Sequence, residues 1–257
     1  KRRHFILNEL LGKQGSEMGK KVILVIVEGQ TEELILFDFL QERFLNAEVR
    51  IDIQCGDIIG NWNRKFGTSK VAIEDVVASY LELYRLMPSD LLAIIQFTDT
   101  DGCFIDNKYI RVDRELARKM RYSPKAIYVS NQDKKLQMIQ RNVDKAQSMV
   151  KLANCKTLKA MNLRIPYCLG YFSVNLDHVL WDEQNTTGRS KLDKAEQFLE
   201  QLEIPLDQFM MQFIPVNPQL PLQEKLEKSW HEIRKGLNSL QRSTNMPFVL
   251  EFVDSLS

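Results

Sequence analysis

Apolar and polar positions along the chain fall into runs of strand length and stripes of helical period. Residues 22–27 (VILVIV) are continuously apolar and mostly β-branched, the pattern of a strand buried on both faces of a parallel sheet. Gly29 breaks the run, and a helix opens near Thr31. Leu34, Leu36, Phe37, Phe39, Leu40 and Phe44 give it a broad apolar side, read as core with no cofactor implied. Residues 49–53 predict a second strand, 71–86 a second helix, 91–97 (LLAIIQF) a third buried strand and 126–129 a fourth. Residues 133–165 read as a basic helix or helix pair, 168–174 as a further strand and 175–181 as one or two helical turns. An amphipathic helix over 190–202 stops before Pro205, and another covers 222–240. Strand–helix alternation implies right-handed βαβ crossovers, a parallel sheet and helices on both of its faces. The predicted organisation is an N-terminal extension over 1–19, an α/β core over 20–132 and a mainly helical region over 133–257 that completes the fold.

Composition narrows the class. Of 257 residues, 44% are hydrophobic and 27% charged, which excludes a wholly disordered or collagen-like chain. No apolar run approaches the roughly 18–20 residues of a membrane span. The four cysteines, Cys55, Cys103, Cys155 and Cys168, are scattered, no CxxC pair exists, and histidines number three. A Cys/His zinc site and a disulfide scaffold are both disfavoured, and reduced cysteines point to a cytoplasmic location. The net charge of +1 conceals an asymmetry: residues 102–165 carry fifteen Lys/Arg against five Asp/Glu. That is either a polyanion-binding face or a solvated helical surface.

The acidic punctuation falls where chemistry is expected. In parallel α/β sheets, ligands sit beyond the C-terminal ends of the strands. Glu28 follows the first strand, Asp57 the second, and Asp99 and Asp101 the third. Glu32 lies one helical turn beyond Glu28. Carboxylates packed together repel, so either a proton or a cation must neutralise them. Hard oxygen donors suit Mg²⁺ or Mn²⁺, and such ions serve phosphoryl transfer. The competing reading is that Asp99 and Asp101 are turn or cap residues.

The segment VILVIVEGQTEELI, followed some seventy residues later by LLAIIQFTDTDG, resembles the Toprim proteins. Its EGxTE form is most similar to the OLD-type bacterial nucleases of phage defence. The resemblance spans roughly residues 20–130. It implies a Toprim-like, Rossmann-like parallel sheet and a site in which Glu28, Glu32, Asp99 and Asp101 bind metal, with Asp57 as the further acidic ligand. It also implies a lysine after the fourth strand that stabilises charge in the transition state; Lys134 is the candidate, with neighbouring Lys135. Gly102-Cys103-Phe104 departs from the Arg-Glu-Gly that continues the topoisomerase motif, and no GxxxxGK[ST] loop occurs. The resemblance is therefore to stand-alone Toprim proteins carrying a Ser-x-Asn-Leu-Asp-His segment, here residues 173–178. An ATPase or sensor would then act in trans.

Within that segment, His178 is a candidate proton shuttle or phosphate contact, and Asp177 a residue that orients it or adds to the metal site. The other reading is helix capping by Ser173 or Asn175 beside a buried histidine. Lys135, Arg141 and Lys145, extended by Lys151, Lys156 and Lys159, form a candidate stripe for nucleic-acid backbone. Trp62 and Tyr109 are either base-stacking or packing residues. The functional expectation is a Mg²⁺- or Mn²⁺-dependent endonuclease acting on DNA or RNA, including tRNA, as a toxic effector of anti-phage defence. Glu28 is a candidate general acid or base, and a homo-oligomer is compatible with this role. The alternative is a catalytically silent module that binds nucleic acid or a partner protein.

Overall fold

A computed structural model describes residues 21–45, 49–55, 67–186, 188 and 190–256. Five strands form the central sheet in the order β2-β1-β3-β8-β7. These are β1 (Lys21–Val27), β2 (Val49–Cys55), β3 (Leu91–Asp99), β8 (Leu163–Phe172) and β7 (Thr157–Ala160). The first four are parallel, and β7 runs antiparallel to β8. Helix α1 (Gln30–Arg43) crosses from β1 to β2, and α2 (Ser69–Tyr84) lies between β2 and β3.

Alternation along β1 divides the core between the two faces of the sheet. Ile23, Val25 and Val27 pack with Ile35, Leu36 and Leu40 of α1. Val22, Leu24 and Ile26 pack with Ile73, Val77 and Leu81 of α2. The crossovers thus cover opposite faces, and the winding reverses between β1 and β3. The chain is a mixed α/β protein with a mostly parallel sheet flanked by helices, compatible with a Rossmann-like arrangement. Among the described residues no helix is long and apolar enough to cross a membrane.

Residues 126–129 are a strand, but not of the central sheet. Strand β6 (Ala126–Val129) sits between β4 (Ile110–Val112) and β5 (Met120–Ser123) in a separate three-stranded sheet inserted after β3. The fourth parallel strand is β8, which overlaps the strand predicted over 168–174 and starts earlier. The predicted helix or helix pair over 133–165 is a single helix, α3 (Gln132–Ala153), followed by β7 and the start of β8. The C-terminal part adds α4 (Leu176–Trp181), α5 (Ser190–Gln201), α6 (Leu206–Met210), α7 (Leu222–Ile233) and α8 (Met246–Asp254). Helix α8 buries Phe248, Val249, Leu250 and Val253.

Gly170 in β8 is required by packing. A Cβ there would lie 2.6 Å from the Phe97 ring and 3.0 Å from Val249. Neither fully buried neighbour has room to retreat. Gly170→Ala should therefore cost about 1–3 kcal/mol through overpacking, read as a lower denaturant midpoint at unchanged slope.

Candidate active site

The point where the winding reverses, between β1 and β3, is where parallel α/β sheets open a crevice for ligands. The pairing of Ile26 with Gln96 carries Glu28 level with Thr98, just before Asp99. Glu28 is pinned there: its Oε1 accepts from the Thr98 hydroxyl and, at 3.1 Å, from the Asp99 backbone N–H. Asp99 Oδ1 accepts from the Leu176 N–H at 3.1 Å, the first turn of α4. Past Asp99 the chain stays bound to the end of β8, with Thr100 N–H donating to Phe172 O and Asp101 N–H to Val174 O.

Asp101 then turns with φ 50°, followed by Gly102 at φ 64°. This left-handed step directs the Asp101 carboxylate toward α3. Lys145 Nζ lies 2.7 Å from Asp101 Oδ2 and 3.5 Å from Glu28 Oε1. Arg141, one turn earlier, donates to the Asp101 backbone oxygen at 2.8 Å and stands 3.9 Å from its carboxylate. The Tyr122 hydroxyl donates to Asp101 Oδ1 at 3.2 Å. On the other flank, Lys191 of α5 pairs with Asp177 Oδ2 at 2.9 Å. Asp177 and Glu32 are both buried, and their charges act on one another.

Two aspartates two residues apart are driven in opposite directions. Burial, then the charges of Glu28, Glu32 and Asp101, push the Asp99 carboxyl well above the usual range. Burial also acts against ionised Asp101, but Lys145 and Arg141 outweigh it and hold that carboxyl below the usual range. Burial works against the Lys145 ammonium, yet Asp101 and Glu28 together keep its pKa well above that of a free lysine. Burial raises Glu32 and Asp177, with Lys191 only partly offsetting it.

Of the predicted site residues, Glu28, Glu32, Asp99 and Asp101 come together. Arg141 and Lys145 join them: both turn onto Asp101, Arg141 partly exposed and Lys145 buried, so Lys145 does not lie on a surface stripe. Lys134 makes none of its described contacts with the carboxylates: it sits in the first turn of α3 and donates to Gln137 at 2.8 Å. Lys135 is half-buried, and Lys151, Lys156 and Lys159 are exposed. Asp57 and Trp62 lie outside the described residues.

The His178 ring makes none of its described contacts with Glu28, Glu32, Asp99 or Asp101. Its Nδ1 lies 3.1 Å from Ser173 O and its Nε2 lies 3.4 Å from Asp182 Oδ1. Asn175 caps the helix by accepting from the His178 N–H at 2.9 Å. Burial lowers the pKa of the ring, so its resting form near neutral pH is uncharged. Tyr109 carries the Lys108 ammonium 5.0 Å above its ring and packs against the small sheet. Sequence reasoning missed Lys191 and Tyr122, and no pattern in the chain marks either.

The donor set suits a hard divalent cation in its chemistry, because the mutual repulsion that raises Asp99 is what such an ion relieves. In the arrangement described, no group of three or more His, Cys, Asp or Glu side chains among the described residues converges as a metal cage. The ammonium of Lys145 provides the positive charge between Glu28 and Asp101. Compared with known proteins, the chain matches no family model, no curated protein and no solved structure.

Proposed function

We propose that the protein hydrolyses phosphodiester bonds of nucleic acid with the help of Mg²⁺ or Mn²⁺. The observation that carries this reading is geometric: at the reversal point of a parallel sheet, Glu28 is seated on the Thr98 hydroxyl and the Asp99 N–H, and Asp99 and Asp101 follow at the end of β3. Glu28, Asp99 and Asp101, supported by Glu32, are the residues that would hold the cation. Bound there, it would supply a Lewis acid for a phosphoryl oxygen.

The chain's own groups have distinct parts in this proposal. Asp101 is kept ionised by Lys145 and Arg141 and offers a fixed negative charge. Glu28, tied to Thr98 and the β3 backbone, and Asp99, tied to the Leu176 N–H, are the carboxylates whose positions the backbone fixes. Lys145 is the buried cation of the cluster, and the partly exposed Lys191 flanks the carboxylates as a cation able to meet a phosphate. A toxic role in phage defence, with an ATPase or sensor in trans, is an extension that rests on the Toprim resemblance, as do its EGxTE and DxD residues.

One observation favours the silent-module reading: Lys145 already neutralises Glu28 and Asp101. Calorimetric titration with Mn²⁺ separates the two. The hydrolytic reading expects saturable binding by the wild type and at least about tenfold weaker binding by Asp99→Asn. Absence of binding by the wild type would leave Lys145 as the resident cation and favour the silent module.

A further inference from the structure

The inward turn of Arg141 and Lys145 leaves the positive charge of the chain's middle to be located elsewhere. Much of it is on the insert that carries the three-stranded sheet: residues 105–125 hold seven Lys/Arg against three Asp/Glu. The register of that sheet is informative. Arg111 of β4 pairs with Tyr128 of β6, and Tyr128 pairs with Arg121 of β5. The three side chains therefore form one row across all three strands. The residues that alternate with them, Ile110, Ile127, Val129 and Tyr122, are buried in the cluster beneath the sheet. The Arg–Tyr–Arg row is thus the outer face.

Both arginines are exposed, and the Arg121 guanidinium lies 4.3 Å over the Tyr128 ring. The only ion pair that Arg121 makes among the described residues is a 3.9 Å contact with Asp113. Exposed Arg114, Lys119 and Lys125 border the same sheet.

We infer that the outer face of the β4–β6–β5 sheet is a docking platform for single-stranded nucleic acid. This rests on the nucleic-acid reading above for the class of ligand, but not on catalysis. Adjacent strands lie about 4.8 Å apart, so the row spans about 10 Å, the reach of one or two nucleotides. An aromatic ring with a guanidinium stacked on it extends a flat π surface, which suits an unpaired base; the flanking cations suit its phosphates. A duplex hides its base faces and gives the ring nothing to stack on. The platform is coupled to the carboxylates through β5: Arg121 faces out, and the next residue, Tyr122, faces in and reaches Asp101. Ligand anchored on the outer face is held one strand thickness from the candidate active site.

The test is fluorescence anisotropy with labelled single-stranded oligonucleotides of DNA and RNA and a matched duplex, all in EDTA so that cleavage plays no part. The wild type should bind a single strand more tightly than the duplex. Arg111→Glu/Arg121→Glu should weaken single-strand binding by at least about tenfold. Arg111→Gln/Arg121→Gln should flatten the salt dependence by about 1.4 in log–log slope, since each phosphate contact on a single strand contributes about 0.7. Lys228→Glu, exposed on α7, is the control and should change binding little. Equal affinity in the doubly substituted proteins, a duplex preference, or no binding by the wild type would each overturn the platform. A parallel assay with Mg²⁺ or Mn²⁺ separates the two readings: cleavage by the wild type together with unaltered binding by the double variants would overturn the platform and leave the nuclease reading intact, and platform-dependent binding with no cleavage would do the reverse.

Discussion

Lys145→Met is expected to destabilise the protein by about 2–4 kcal/mol, because it removes the buried ammonium that two part-buried carboxylates share. Lys145 is 2% exposed, and its Nζ meets both Asp101 and Glu28. Methionine fills similar space along the α3 stripe but leaves Asp101 to Arg141 and Tyr122 alone. For a chain of this size the melting temperature should fall by about 10 °C. The loss should shrink at acid pH, where the stranded carboxyls can take up protons. Lys151→Met, exposed on the same helix, should stay within about 0.5 kcal/mol of wild type. A loss below about 1 kcal/mol for Lys145→Met would mean that Lys145 does not hold the cluster together.

Asp99→Asn is expected to do the opposite to stability while removing activity. The folded state holds the Asp99 proton more tightly than the unfolded chain does. Its contribution is therefore fully present below the unfolded value near 4 and is lost as pH rises through the raised folded value. Asparagine removes that loss and can still accept from the Leu176 N–H. In EDTA, the variant should melt near the wild type at about pH 4 and above it at neutral pH. Asp101→Asn should behave with the reverse sign. The folded pKa of Asp101 is depressed, so its contribution exists above the unfolded value and disappears as pH falls through the folded one. Melting curves across pH for the two variants check both signs. Identical pH dependence for both would contradict the opposed polarisation. In activity, loss of the Asp99 carboxylate should cost at least about a hundredfold.

The elements legible in the sequence were those with long, unbroken patterns. Residues 22–27 and 91–97 are apolar throughout because β1 and β3 are central and covered on both faces. Their carboxylates were legible because a charge that directly follows such a run must lie at the rim of the sheet. The small sheet was hidden by its size and by its outer row: β4 has three residues, with Arg111 at its centre. Strand β8 contains Pro166, and the strand predicted over 168–174 begins only after it. The end of α3 at Ala153 has no glycine or proline to mark it; Asn154 stops it.

The direction of the α3 cations was legible and overlooked. Met138, Asn142, Lys145, Met149 and Leu152 recur at helical spacing and are the buried stripe of that helix. A lysine on that stripe must face the core, where only a carboxylate could hold it. Lys191 could not be found this way, because it depends on α5 packing beside α4.

The most direct test of the central claim is cleavage. Purified protein is incubated with Mg²⁺ or Mn²⁺ and plasmid, single-stranded DNA or total tRNA, beside Asp99→Asn and an EDTA control. The account predicts cleavage of at least one of these that requires the metal and is lost in Asp99→Asn. Cleavage that persists in Asp99→Asn, or no cleavage of any substrate together with no Mn²⁺ binding, would contradict it.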